Sequence, residues 1–197
     1  MGDGGPIEAA ARLRQFLVPR VRAGIVLRTL RENGPVVLVP LAWTFAAAAH
    51  LGLVGSHPLF VAHVVMSAIL VAFVVLSWSE MRTGVLLAWK LVIAAGFAIT
   101  LVGTVALLAP SPDPRLLGVT VVGWMLIPAA GLAYTGRHVG PDEWPLVYTA
   151  GAVCSVVGAA VYVGGPLAVA ADVARLAGLA LVGVGQTAGI VAAVVEY

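Results

Sequence analysis

Charge is the first thing this sequence lacks. Only 10% of its 197 residues are Asp, Glu, Lys or Arg, against about 25% in a typical soluble domain. One lysine, Lys90, stands beside ten arginines, and the net charge of +2 is too small and too evenly spread for a nucleic-acid surface. A single cysteine, Cys154, excludes an internal disulfide and any Cys-based zinc or redox motif. Within a helix it reads as a small packing residue. No G-x-S-x-G, H-E-x-x-H or Walker-type loop is present, so nothing supports an enzyme. Asn is missing from every apolar run, and Asp and Glu are missing from the centres of those runs. A conventional ion-coupled carrier with buried carboxylates is thereby disfavoured.

What is there instead is apolar sequence in long runs, 61% of the chain with a mean hydropathy of +1.04. A run of about 20 apolar residues spans the hydrocarbon layer as a helix. In lipid such a segment must be helical, because each backbone polar group needs an internal partner. The expected fold is all-α: a polytopic integral membrane protein with six transmembrane helices near 35–54, 58–78, 84–109, 116–136, 145–164 and 170–194. The intervening Gly, Pro and charged residues mark the turns.

Residues 1–33 form a separate segment carrying six arginines. Apolar residues recur between them at helical spacing, so two short amphipathic pieces on the bilayer surface are expected, with a solvated basic arm as the plainer reading. Residues 34–197 make up the transmembrane domain. Arginine placement orients it: with a cytoplasmic N-terminus, Arg82, Arg137 and the six tail arginines lie inside, and only Arg115 and Arg175 outside. Eight against two predicts a multi-pass protein of the cell membrane with both termini cytoplasmic. Trp78, Trp89, Trp144, Tyr148 and Tyr197 then form an aromatic belt on that side.

A shift of 81 places the first helix on the fourth. Trp43, Ala48, Ala49, Leu51, Gly55 and His57 fall on Trp124, Ala129, Ala130, Leu132, Gly136 and His138. Pro58 resembles Pro145 in opening a second helix, and Lys90 resembles Arg175 near the start of a third. With three spans per half, a duplication would be a 3+3 inverted repeat, a common build for transporters. Chance likeness between apolar helices is the alternative.

Two histidines, His50 and His63, flank the turn at 55–58 at about equal distance. If each lies about 10 Å into the membrane on adjoining antiparallel helices, the imidazoles are level and can face each other. Three readings compete. They are ligands of a haem b or a metal, with Met66 on the same face as His63. They titrate along a proton or solute pathway. Or they are neutral polar groups bonded between helices.

Other candidates are plainer. Lys90 can snorkel to the headgroups, and Asp172 and Arg175 can pair on the first turn of the last helix or act as a gate. Gln186 and Thr187 are the most polar group in the middle of that helix, suited to an interhelical hydrogen bond or a substrate contact. Trp43 and Trp124 sit near the midplane, where they would pack or wall a cavity. Gly178, Gly183, Gly185 and Gly189, with Ala42, Ala46 and Ala49, permit close backbone approach.

The foremost functional reading is a carrier or channel for a small solute or ion. The alternatives are a haem- or metal-bearing redox component using His50 and His63, and a non-catalytic membrane subunit or assembly partner. The expected partners are the lipid bilayer, a small-molecule solute and either a second copy or another subunit.

Overall fold

In a computed structural model, residues 34–196 are described; the basic segment expected over 1–33, and Tyr197, lie outside the described residues. The chain divides into two units, 1–35 and 36–197, and the helices below belong to the second apart from the first two residues of α1. Among the described residues there are six α-helices and one short 3-10 turn, with no strand. We number them α1 (Gly34–His50), α2 (Ser56–Leu76), α3 (Gly84–Leu108), α4 (Pro114–His138), α5 (Pro145–Gly164) and α6 (Ala171–Glu196). The 3-10 turn covers Gly165–Leu167, in the break expected between 164 and 170.

Five helices, α2 to α6, are long and apolar enough to cross a membrane. The sixth expected span is not matched. Over the described residues α1 is 17 residues, or about 26 Å against a hydrocarbon layer of about 30 Å. Its end was expected near residue 54 and falls at His50, for a backbone reason. Gly52 has φ +70°, the left-handed conformation that ends helices. The amide of Leu53 reaches the carbonyl of Ala48, and that of Gly52 the carbonyl of Ala49, which is the paired closure of a Schellman turn.

Turn chemistry sets the other ends. Asp113 caps α4 by accepting from the amides of Arg115 and Leu116, and Pro114 occupies the first helical position, where no amide is needed. Pro145 opens α5 in the same way. The residue before it, Trp144, holds φ 48°, a left-handed conformation costing a bulky residue on the order of 1–3 kcal/mol.

Consecutive helices from α2 to α6 pack as neighbours, and α6 also meets α4. The side chains of α1 lie against Met125 on α4, Ala159 on α5, and Leu179 and Val182 on α6. Burial is uneven. α6 buries eight residues, whereas α2 buries only Leu70.

The α5–α6 contact is backbone on backbone. A Cβ at Gly151 would stand 2.6 Å from the carbonyl oxygen of Gly185, and one at Gly178 would stand 2.6 Å from that of Gly158. Each helix contributes two glycines seven residues apart, so the antiparallel pair touches at two heights. In lipid, where helix association rests on van der Waals packing rather than on the hydrophobic effect, such close approach supplies the attraction. Cys154 fills its expected packing role there, its Cβ abutting Gly185.

Tyr148 departs from the expected belt. It is 0% exposed, in a cluster with Leu132, Ala152 and Ala192, and its hydroxyl donates to Glu196 Oε2 at 2.7 Å. The helical position that points Tyr148 at α6 outweighs the interfacial preference of its ring. Trp89 is half-buried and donates to Thr135 Oγ1, whereas Trp78 and Trp144 are exposed.

Candidate functional site

At the middle of the bundle a polar chain crosses four helices. Pro128 lies inside α4. A proline has no amide hydrogen, so the carbonyl four residues earlier, that of Trp124, loses its helical donor. In an apolar surrounding an unpartnered carbonyl costs several kcal/mol. Gln186 of α6 supplies the missing donor: its Nε2 gives hydrogen bonds to the carbonyls of Trp124 (3.1 Å) and Met125 (3.2 Å). Its Oε1 accepts from the indole Nε1 of Trp43 on α1 at 3.0 Å. The indole of Trp124 in turn donates to Thr100 Oγ1 on α3 at 3.1 Å, and Thr100 donates to the carbonyl of Gly96.

Three of the residues singled out in the sequence, Trp43, Trp124 and Gln186, are thus brought together. Both indoles lie against glycines. A Cβ on Gly96 would fall 2.5 Å from the Trp124 ring, and one on Gly183 would fall 3.2 Å from Trp43 Cβ. Thr187, beside Gln186, has a buried hydroxyl with no hydrogen-bond partner among the described residues. Pro128 and Thr100 were missed by sequence reasoning. Pro128 is a proline in mid-span, and that signal was available.

The two histidines take different places on their helices. His50 is the last residue of α1, while His63 is seven residues past the start of α2, about 10 Å along it. They also engage different neighbours. His50 Nδ1 lies 2.9 Å from the carbonyl of Ala46, which can only accept, so Nδ1 carries the hydrogen. Its Nε2 is left to accept from the Tyr162 hydroxyl of α5 at 2.7 Å, with the two rings edge to face. His63 Nδ1 is likewise tied to the carbonyl of Leu59 at 2.8 Å. Its Nε2 points onto α3, where a Cβ at Gly103 would be 2.5 Å away, and it has no hydrogen-bond partner among the described residues. Met66 is half-buried one turn beyond His63. Among the described residues no group of three or more His, Cys, Asp or Glu side chains converges as a metal site.

Lys90 reaches back from α3 to the end of α2, its Nζ 4.5 Å from the ring centroid of Trp78. An ammonium over an exposed indole is a cation–π contact. Asp172 and Arg175 are both exposed on the first turns of α6. At the opposite end, Glu196 has Oε2 bound by Tyr148 and Oε1 buried without a hydrogen-bond partner.

The centre is therefore a closed set of hydrogen bonds joining α1, α3, α4 and α6. Comparison with protein-family models, with curated proteins and with solved structures gave no match.

Proposed function

We propose that this multi-pass protein is a small carrier or channel whose route for a small solute or ion passes the Trp43–Gln186–Trp124 junction, between two three-helix halves. The observation that supports this is the reciprocity of the two indoles. Trp43 on α1 donates to α6, and Trp124 on α4 donates to α3, so the first helix of each half reaches the third helix of the other. Each also rests on a glycine of that helix, Gly183 or Gly96. The acceptors and glycines correspond across the halves by shifts of 86 (Thr100 to Gln186) and 87 (Gly96 to Gly183), close to the shift of 81 between the tryptophans. Inverted halves meeting at a polar midplane are the usual setting of a transport site. With α1 counted as a crossing, the eight-to-two arginine bias puts both termini in the cytoplasm of a cell-membrane protein.

The test is flux into vesicles of the purified chain, with proton, potassium and small neutral solutes assayed in turn. A flux above protein-free vesicles, lost in Trp43→Phe and Gln186→Leu while the protein stays folded, is the expected outcome. No flux for any of them would count against transport.

Two other readings each have one observation. A redox component holding haem b or a metal is favoured by the Nε2 of His63, which makes no hydrogen bond among the described residues, although that nitrogen is packed on Gly103 and His50 would have to release Tyr162 to become the second ligand. A non-catalytic subunit is favoured by α2, which exposes Val61, Val64, Val65, Val71 and Val75 and buries only Leu70.

A further inference from the structure

We infer that the solute passing the Trp43–Gln186–Trp124 junction is uncharged and hydrogen-bonding, of the urea or glycerol class, and that the hydroxyl of Thr187 binds it. The inference rests on the carrier-or-channel reading and narrows its substrate.

Charge is kept away from the junction. On α3 the charged side chain nearest to Thr100 is Lys90, ten residues away. On α4 it is Arg115, nine residues before Trp124, and on α6 it is Glu196, ten residues after Gln186. At the rise of an α-helix each stands about 13 Å or more along its helix from the junction. The described parts of α1, α2 and α5 carry no Asp, Glu, Lys or Arg. Of the two histidines, His50 is engaged by Tyr162, and His63 is packed on Gly103, three residues along α3 from Thr100. An ion at this depth meets no opposite charge, and burying an unpaired ion costs more than neutral dipoles return.

The neutral groups that could stand in for a counter-charge are taken. The carbonyl of Trp124, which Pro128 would leave free to replace water around a cation, is occupied by Gln186 Nε2, as is that of Met125. The donors an anion would need are committed as well. Both hydrogens of the Gln186 amide, the two indole hydrogens and the Thr100 hydroxyl each have an acceptor.

Thr187 differs from all of these. Its hydroxyl is buried and has no hydrogen-bond partner among the described residues. It lies one turn beyond Gly183, on the face of α6 against which Trp43 rests. A hydroxyl buried in this way has lost its water and gained nothing in return. It can both donate to and accept from a neutral solute, and by itself it cannot hold an ion.

The experiment uses vesicles holding the full chain, with urea, glycerol, potassium and protons as probes. Urea or glycerol should cross faster than in protein-free vesicles, and potassium and protons should not. Thr187→Val keeps the shape without the hydroxyl and should slow the neutral flux about threefold to tenfold, as expected for one hydrogen bond. Its Tm should not fall, since an unpaired polar group is removed, and Thr187→Ser should keep most of the native flux. Potassium or proton flux above protein-free vesicles would overturn the inference and leave the carrier-or-channel reading standing. Absence of flux for all the probes would remove that reading and the inference together. Native neutral flux in Thr187→Val, or equal slowing by Thr187→Ser, would overturn the role of Thr187.

Discussion

The side-chain amide of Gln186 closes on the carbonyl of Trp124, which Pro128 has left without its helical donor. One residue of α6 thus repairs a break in α4, and its oxygen is held in turn by an indole from α1. The junction joins three helices through bonds whose loss has no aqueous substitute.

Replacing Gln186 by Leu should destabilise the protein by about 1–3 kcal/mol, because a carbonyl and an indole N–H are left buried and unpaired. Pro128→Ala restores the missing amide, so the double variant should lose less than the sum of the two changes. A double-mutant cycle from denaturation in detergent measures the coupling. Strict additivity would mean that Gln186 does not serve the Pro128 carbonyl.

The α5–α6 seam should tolerate no side chain. Gly158→Leu and Gly185→Leu place atoms where backbone or Cys154 Cβ already stands at 2.6–2.7 Å, and each should cost several kcal/mol or prevent folding. Gly164→Ala, where nothing lies within 4 Å, is the control and should leave Tm unchanged. Equal Tm for Gly164→Ala and Gly158→Leu would contradict the close packing.

His50 and Tyr162 should act as a pair. Interhelical hydrogen bonds in membranes average about 0.6 kcal/mol and reach about 1.7, so Tyr162→Phe and His50→Phe should each lower stability modestly, with a coupling in that range. A haem bound through both histidines predicts the opposite for Tyr162→Phe, which would free Nε2 and strengthen ligation. A reduced-minus-oxidised visible spectrum of the two proteins separates the cases: the appearance of a Soret band would favour the haem.

Lys90 should matter little to stability and more to placement. Trp78→Ala removes a cation–π contact worth about 0.5–1 kcal/mol at an exposed site. Lys90→Arg should retain most of it, and Lys90→Leu should match the tryptophan deletion. Thermal denaturation of the three variants is the check, and a Lys90→Leu chain as stable as the native one would remove the contact from the account.

Much of this was legible in the sequence because the constraints involved are local. Runs of apolar residues have to be helical in lipid, and the prolines and Asp113 that begin helices act on their own neighbours. For that reason the expected limits 84–109, 116–136 and 145–164 lie within a few residues of α3, α4 and α5. The end of α1 was misread by a few residues, because Gly52 and Gly55 are equally good stops by residue type and only the backbone shows that Gly52 takes the left-handed turn. That turn sets His50 at the helix end, whereas His63 lies seven residues past the start of α2.

Which residues meet was decided by tertiary structure. The sequence marked Trp43, Trp124 and Gln186 as polar or bulky groups at mid-depth, but α1 and α6 are 143 positions apart at the Trp43–Gln186 bond. Helical periodicity fixes the face of a residue only relative to its own helix. The rotation of each helix against its neighbours is set by side-chain packing, here by two glycine contacts on α5 and α6 and by the indoles lying on Gly96 and Gly183. The sequence by itself therefore determined that the chain is helical, apolar and built to cross a membrane. Only the packed bundle decided that Gln186 serves a proline-broken helix, that Tyr148 is buried, and that His50 and His63 turn to different partners.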